Sequence, residues 1–360
     1  MSTRLKDIFF TKKSVSDLAI LLKRNYPEFD TDKFHSLIYD STWEKRELKD
    51  KMHHVTETVK QCFPVPYKKS ISILKKVVPH ITGFDGMIFP DFVEKYGLDD
   101  FDTSLKALVY FTKHFSSEFA IRPFIAKEPE RVMEFMLQCA SDKNEHVRRF
   151  ASEGCRPRLP WAMALPEFKK DPSPILPILE KLKDDKSEYV RKSVANNLND
   201  ISKDNPAIAL KIFKRWYGES EKTNWIVKHA ARTLLKAGNK EAMKMFGYSD
   251  HKEVEIKNFS LADKKVKLGD ELEFEFHMQV KSKKKSNVRI EYLIEFARTN
   301  NKSSEKVFKI TENKYDPGVY SFNKKHSFKK ISTRRYYAGK HKITIIINGE
   351  RKNSISFDLC

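Results

Sequence analysis

The sequence predicts a multidomain protein, α then β, in which an all-α HEAT-like repeat solenoid is followed by an all-β immunoglobulin-like sandwich. Three observations support this prediction. Apolar residues have helical spacing up to about residue 250, they alternate with polar residues after that point, and a polar turn followed by a helix motif recurs in the helical part. The predicted domains are therefore residues 1–250, helical, and 253–360, a sandwich.

The helical part is divided into repeats. A polar turn followed by valine, a basic residue and small apolar residues occurs around Val147, Val190 and Val227, at intervals of about 40 residues. This interval is typical of HEAT-type helix pairs, in which the second helix of each pair buries its apolar face. We expect the valines to point inward and the basic residue after each valine to point along the concave surface.

The C-terminal part has the spacing of strands with one buried face. Clear examples are residues 272–276, 288–292 and 343–347, each rich in β-branched or aromatic residues. Turn-forming residues separate the strands, among them Asp316-Pro317-Gly318 and Asn348-Gly349. The pattern predicts an immunoglobulin-like sandwich of about seven strands.

The composition indicates a polyanionic partner and excludes several classes of protein. The chain has 69 Lys and Arg against 49 Asp and Glu, for a net charge of +20. It has only 11 glycines and no glycine-rich phosphate loop, which disfavours a doubly wound nucleotide-binding fold. The four cysteines are widely spaced, which predicts reduced thiols without a zinc site. No leader and no long apolar run is found, so we expect a cytoplasmic protein without membrane association.

Residues 148–161 are the most informative segment. They contain one carboxylate, Glu153, and a tryptophan near two prolines, Trp161, together with four arginines: Arg148, Arg149, Arg156 and Arg158. Arginine forks bind phosphates bidentately, and neighbouring prolines restrict the position of an aromatic side chain. The segment therefore predicts a surface that holds a nucleic-acid backbone against a planar ring. The alternative is a helix end with solvated arginines and a tryptophan that fills the core.

Three segments resemble the DNA alkylation-repair glycosylases of the AlkD/AlkC superfamily, and the AlkC branch is the more similar. They are residues 114–125, 149–161 and 194–202, and the resemblance extends over about residues 5–250. It implies a monofunctional DNA N-glycosylase that excises cationic N-alkylated bases such as 3-methyladenine from double-stranded DNA in base excision repair. It also implies that the enzyme needs no metal or organic cofactor and does not flip the base into a deep pocket.

The resemblance also implies roles for individual residues. The catalytic carboxylates fall on Glu118 and Asp200, and the stacking aromatic falls on Trp161. Three further residues match positions of the family motif and are expected to line the DNA-binding cleft: Arg149, Glu153 and Arg156. The alternatives are structural, with Glu118 at a helix N-terminus and Asp200 at a helix end. In the same reading, Glu153 is a partner of the neighbouring arginines and Trp161 lies in the core.

The expected chemistry explains why such a site needs few groups. An N3-alkylated adenine is already cationic, so it leaves without a general acid to protonate it. What remains is to stabilise the positive charge that develops on the sugar and to orient a water molecule. Two carboxylates in a partly dehydrated cleft can do both.

The sandwich has basic clusters of its own, including Lys283, Lys284 and Lys285. We expect these lysines to contact the DNA backbone; the alternative is that they protect strand edges from aggregation. We expect a monomer. The rival function for the whole chain is a non-catalytic HEAT and immunoglobulin-like adaptor that binds nucleic acid or protein.

Overall fold

The computed structural model describes residues 5–248, 251–299, 302–331 and 334–360. The chain forms two compact units, Met1–Ala230 and Ala231–Cys360. In the part that is described, every helix is too short or too polar to cross a lipid bilayer.

The first unit consists of helices and their connecting turns. The α-helices are α1 (Leu5–Ile8), α2 (Lys12–Asn25), α3 (Thr31–Ile38), α4 (Leu48–Gln61), α5 (Tyr67–Val77), α6 (Ile88–Tyr96), α7 (Phe101–Phe111), α8 (Arg122–Lys127), α9 (Pro129–Cys139), α10 (Glu145–Gly154), α11 (Pro166–Lys170), α12 (Leu176–Leu182), α13 (Glu188–Asp204), α14 (Pro206–Trp216) and α15 (Glu221–Ala230). Proline occupies the first or second position of α8, α9, α11, α12 and α14, where its missing N–H has no intrahelical partner to lose.

The predicted repeat is present in the structure. Val147, Val190 and Val227 lie on α10, α13 and α15, and all three are fully buried. Helix α13 packs against both α10 and α15, so the second helices of successive pairs form a continuous layer. The all-α HEAT-like architecture of this part is therefore confirmed.

Two of the three basic residues of the repeat, Arg148 and Arg191, bind the turn before their own helix. Arg148 Nη1 donates to two backbone carbonyls of the turn before α10, both at 3.0 Å. Arg191 does the same to the turn before α13, at 2.7 and 3.0 Å. Both guanidiniums are bonded to the turns before their own helices, because carbonyls left free in the turn accept from them, and their direction along the concave surface stays a prediction.

The second unit contains a two-sheet sandwich. Its strands are β1 (Val254–Leu261), β2 (Lys265–Val266), β3 (Glu271–Val280), β4 (Ser286–Ala297), β5 (Ser303–Tyr315), β6 (Gly318–Ser327), β7 (Gly339–Ile347) and β8 (Glu350–Leu359). One sheet has the order β1-β3-β6 and the other β2-β8-β7-β4-β5. All pairs are antiparallel except β2 with β8. The predicted sandwich is confirmed, with eight strands in the described residues instead of about seven.

Local sequence explains the turn between β7 and β8. Asn348 and Gly349 connect β7 to β8 and have φ values of 49° and 81°. Positive φ at both positions matches the twist of the flanking strands, and asparagine followed by glycine tolerates it best.

Two short helices, α16 (Arg232–Lys236) and α17 (Lys240–Met245), belong to the second unit. A Cβ atom on Gly349 would lie 2.5 Å from Gly238 Cα, so the backbones touch where both residues are glycine. The side chain of Asn287 also donates to the carbonyl of Phe246 at 3.0 Å. The change from helix to strand falls near residue 250, as predicted, although Asp250 itself lies outside the described residues.

Candidate active site

Helix α10 brings the candidate residues together. Its N-terminus is capped by Asn144, whose side chain accepts from the N–H of His146 at 2.8 Å. Its C-terminus approaches the turn that carries Glu118, because Gly154 has no side chain. A Cβ atom there would lie 2.7 Å from Ile121 Cγ2 and 2.9 Å from Met136 Cε. A larger residue would push helix and turn apart.

Glu118 is held by two donors on one side of α10. Its carboxylate accepts from Ser116 Oγ and from Arg149 Nη1, and Arg149 Nη1 also donates to Ser116 Oγ at 2.6 Å. Arg149 Nη2 lies 3.5 Å from Glu153 Oε1. The first predicted carboxylate and the first predicted phosphate-binding arginine are therefore direct partners.

The same line of charges continues to the second carboxylate. Arg156 Nη1 donates to Glu153 Oε1 at 2.5 Å, and Arg156 Nε donates to Asp200 Oδ2 at 2.9 Å. Lys203 Nζ donates to the other oxygen of Asp200 at 3.0 Å. We call the five residues Glu118, Arg149, Glu153, Arg156 and Asp200 the ion-pair network. It joins the turn before α8 to α10 and α13.

The two candidate catalytic carboxylates differ in their access to solvent. The side chain of Glu118 is 14% exposed, whereas that of Asp200 is 1% exposed. The Glu118 carboxylate is therefore accessible to a ligand without a rearrangement of the protein. Asp200 is buried and paired with both Arg156 and Lys203.

Arg156 remains charged despite its position. Burial lowers the pKa of Arg156, but the charges of Glu153 and Asp200 outweigh burial, and the pKa is raised overall. Loss of either carboxylate would remove one of the two ion-pair partners that hold the buried guanidinium of Arg156.

Trp161 is exposed and is not a core residue. It lies in the connection between α10 and α11, residues 155–165, which we call the Trp161 loop. Its side chain is 63% exposed, and its backbone has a φ of 66°. Such a conformation is uncommon for a bulky residue and is typical of functional loops. Lys49 Nζ donates to its carbonyl at 2.9 Å. The alternative prediction, a tryptophan that fills the core, is wrong.

A residue that sequence reasoning missed holds this loop in place. Arg122 is fully buried, and its guanidinium donates to the carbonyls of Met163, Gly154 and Arg156 at 2.6, 2.9 and 2.8 Å. Burial lowers the pKa of Arg122 to about 10. Arg122 lies within residues 114–125, one of the three segments that resemble the family, and this position could have drawn attention to it. The sequence could not show that its partners are backbone carbonyls.

Tyr189 was also missed. The guanidinium of Arg149 lies over its ring, 5.2 Å from the centroid, and the His146 ring lies 5.7 Å away edge-on. The ring is 41% exposed. Its position directly before the repeat residue Val190 could have indicated a surface site on the first turn of α13.

The remaining predicted DNA-binding residues lie outside the ion-pair network. Arg148 is buried and forms a fork with Asp185, at 2.6 and 2.9 Å. Arg158 forms a similar but more exposed fork with Asp204, at 2.7 and 2.5 Å. In the second unit, the three lysines of the β3–β4 loop are exposed: Lys283, Lys284 and Lys285. Across the described residues, no group of three or more His, Cys, Asp or Glu side chains is placed to hold a metal ion.

Fold and site together define a HEAT-like repeat protein with an arginine–carboxylate site and an immunoglobulin-like domain. Residues 255–360 match the family described as "Uncharacterised protein YhaZ, C-terminal Ig-like domain". The chain is 43% identical over 357 residues to Uncharacterized protein YhaZ of Bacillus subtilis (strain 168), with 99% of both chains covered.

A solved structure is similar over the same length. The alkylpurine DNA glycosylase AlkC of Pseudomonas fluorescens, bound to DNA containing an abasic site analog, has a TM-score of 0.95 and 34% sequence identity, covering 99% of this chain and 100% of that one. The chain therefore belongs to the AlkC family, in the form that has an immunoglobulin-like C-terminal domain. The resemblance stated from the sequence is confirmed.

Proposed function

We propose that this protein is a monofunctional DNA glycosylase that excises cationic N-alkylated bases, such as 3-methyladenine, from double-stranded DNA in base excision repair. The observation that carries the proposal is the placement of Glu118. It is a solvent-accessible carboxylate fixed by Arg149 and Ser116. The similarity to a glycosylase that was solved with abasic-site DNA supports the same conclusion.

The reaction needs little from the protein beyond charge and position. The bond between the sugar C1′ and the base nitrogen breaks, and its electron pair neutralises the positive charge of the alkylated base. Positive charge develops on the sugar, where the Glu118 carboxylate would stabilise it. A water molecule then forms the new bond at C1′ and loses a proton to solvent.

The size of the pocket in the same turn as Glu118 supports hydrolysis without base flipping. This pocket, lined by Ser116 and Phe119, measures about 80 Å³. For comparison, an engineered cavity of about 150 Å³ binds benzene, which is smaller than a purine. In the proposed reaction the base therefore stays within the duplex stack.

We assign the arginines of the ion-pair network to DNA phosphates. Arg149 and Arg156 present planar forks suited to phosphate, and Glu153 holds them in register. A phosphate that draws Arg156 away would uncover Asp200, which could then act on the sugar beside Glu118. Exposed Trp161 would stack on the sugar or base, and the lysines at 283–285 would add backbone contacts to a monomeric enzyme.

Release of free base from methylated duplex DNA by the purified protein tests the proposal. Under single-turnover conditions, Glu118→Gln and Asp200→Asn should each slow release by at least roughly 10²-fold, because the amides keep shape and lose charge. DNA affinity should stay nearly unchanged. Glu134→Gln, at an exposed position of α9, is the matched control and should excise at the wild-type rate. Wild-type rates in both test variants would show that the two carboxylates are structural, whereas no base release by the wild-type protein would favour the non-catalytic adaptor.

A further inference from the structure

A partly enclosed pocket of about 80 Å³ lies next to the candidate active site. It is lined by two of the three segments that carry candidate catalytic side chains, the turn with Glu118 and the loop with Trp161. Ser116 and Phe119 come from the turn before α8, and Ala162 and Met163 come from the Trp161 loop. We name it the Asp91 pocket after its most buried carboxylate.

Asp91 is unusual because it is buried without a directed hydrogen bond. It lies on α6 and is 3% exposed. His53 Nδ1 is 2.9 Å from Asp91 Oδ1, close enough for an ion pair, but within the described residues neither oxygen accepts a hydrogen bond of normal geometry. Buried carboxylates are costly unless donors or cations satisfy them. Among the described residues, Asp91 Oδ2 therefore has no ion-pair partner and is the atom that could receive a cation in the pocket.

The rest of the lining suits an alkyl group attached to a cation. Met52 and Met87 are buried and give the pocket soft, apolar walls, and Phe119 adds an aromatic ring. Glu94 supplies a second carboxylate. Thioethers and aromatic rings pack well against methyl groups, and aromatic faces attract cations.

One cation of the protein also borders the pocket. Lys49 Nζ lies 5.3 Å from the centroid of the Phe119 ring and donates to the carbonyl of Trp161. Lys49 also lies near enough to Glu94 to favour its charged form, whereas Asp91 has its ion-pair contact with His53.

The geometry points to a subsite for the lesion itself. We propose that the Asp91 pocket receives the N-alkylated edge of a cationic base, so that Asp91 and Glu94 select for positive charge and the methionines contact the alkyl group. This inference rests on the proposed function and specifies how that site recognises its substrate. The N3 edge of adenine faces the minor groove, so an alkyl group on N3 can enter a shallow pocket while its base remains stacked.

A matched pair of small molecules tests the pocket without relying on catalysis. The full-length protein, labelled with ¹³C at its methionine methyl groups, is titrated with 1-methylnicotinamide, a permanent cation whose N-methyl edge can enter the partly enclosed pocket while its ring stays outside. The comparison compound is neutral 3-methylbenzamide, which keeps the ring, the amide and the methyl group but lacks the charge. We expect the cation to shift the signals of Met52, Met87 and Met163 and to bind at least roughly tenfold more tightly than the neutral compound. Asp91→Asn should remove this preference.

The control variant is Asp99→Asn, at a fully exposed aspartate, which should keep the full preference for the cation. If Asp91→Asn does not fold, Glu94→Gln should still weaken the preference. Equal binding of the two compounds to the wild-type protein, or a preference that survives in Asp91→Asn, would overturn the proposal.

Base release by the wild-type protein separates this proposal from the proposed function. A cation preference that depends on Asp91, without base release, would support the pocket and refute the glycosylase. Base release without any cation preference would support the glycosylase and refute the pocket.

Discussion

At the scale of single residues, function in this site depends on which charged groups are buried with ion-pair partners and which remain accessible to a ligand. Glu118 and Asp200 belong to the same ion-pair network, yet only Glu118 reaches solvent. The arginines in the 148–161 segment differ in the same way. Arg149 is paired with the accessible carboxylate, whereas Arg148 is bound to Asp185 and to turn carbonyls. The clustering of arginines in the sequence did not by itself distinguish Arg148 from Arg149, because a pattern shows residue type but not hydrogen-bond partners.

Arg122 shows how a buried cation can position an exposed aromatic. Arg122→Lys keeps the charge but cannot reach all three carbonyls, so we expect the free energy of unfolding to fall by about 2–4 kcal/mol. Base release should slow, because the Trp161 loop loses the contact at Met163. Chemical denaturation and single-turnover excision measure the two effects.

Arg131→Lys is the matched control for this prediction, because Arg131 is half-exposed and its partners are surface carboxylates. Its effect on stability should stay within about 0.5 kcal/mol. An Arg122→Lys variant as stable and as active as the control would show that the loop is held by other contacts.

At the scale of secondary-structure elements, the repeat and the strands could be predicted because their signals are local. Helical spacing around Val147 and Val190, and Asn348-Gly349 between two strands, depend only on neighbouring residues. The side-chain directions of Arg148 and Arg191 could not be predicted this way. They depend on which turn carbonyls remain free after the helices pack.

The adjacent residues Arg148 and Arg149 on α10 allow a test of which arginine stabilises the fold and which binds DNA. Arg148→Gln should lower the unfolding free energy by about 1–3 kcal/mol, because it removes the fork with Asp185 and leaves carbonyls without a donor. It should not change the dependence of DNA affinity on salt. Arg149→Gln should instead reduce the slope of log K against log salt by about 0.9, as expected for one lost phosphate contact. Denaturation curves and DNA titrations at several salt concentrations compare the two variants. A reduced salt slope in Arg148→Gln would show that Arg148 contacts a DNA phosphate and would contradict this prediction.

At the scale of the whole molecule, the candidate catalytic residues all lie in the first unit, whereas the second unit contributes exposed positive charge. The first unit contains the ion-pair network, the Trp161 loop and the Asp91 pocket. The second unit contributes an exposed lysine loop between β3 and β4, in which Lys285 has only the surface carboxylate of Asp316 as an ion-pair partner, at 3.2 Å, within the described residues. This division predicts that changes in the sandwich alter affinity and leave the chemical step intact.

Replacement of Lys283, Lys284 and Lys285 by alanine tests this division. If all three contact phosphates, the slope of log K against log salt should fall by about 2.7, at about 0.9 for each contact, and affinity at low salt should weaken. The excision rate at saturating protein should remain that of the wild type, since no residue of the ion-pair network is altered. A second triple variant at exposed positions near β2, with Lys264, Lys265 and Lys267 changed to alanine, removes the same charge elsewhere on the sandwich. Equal slopes for the two triple variants would show that net charge, and not contact by the β3–β4 loop, governs binding, whereas a smaller slope in the first variant alone would place that loop on the DNA backbone.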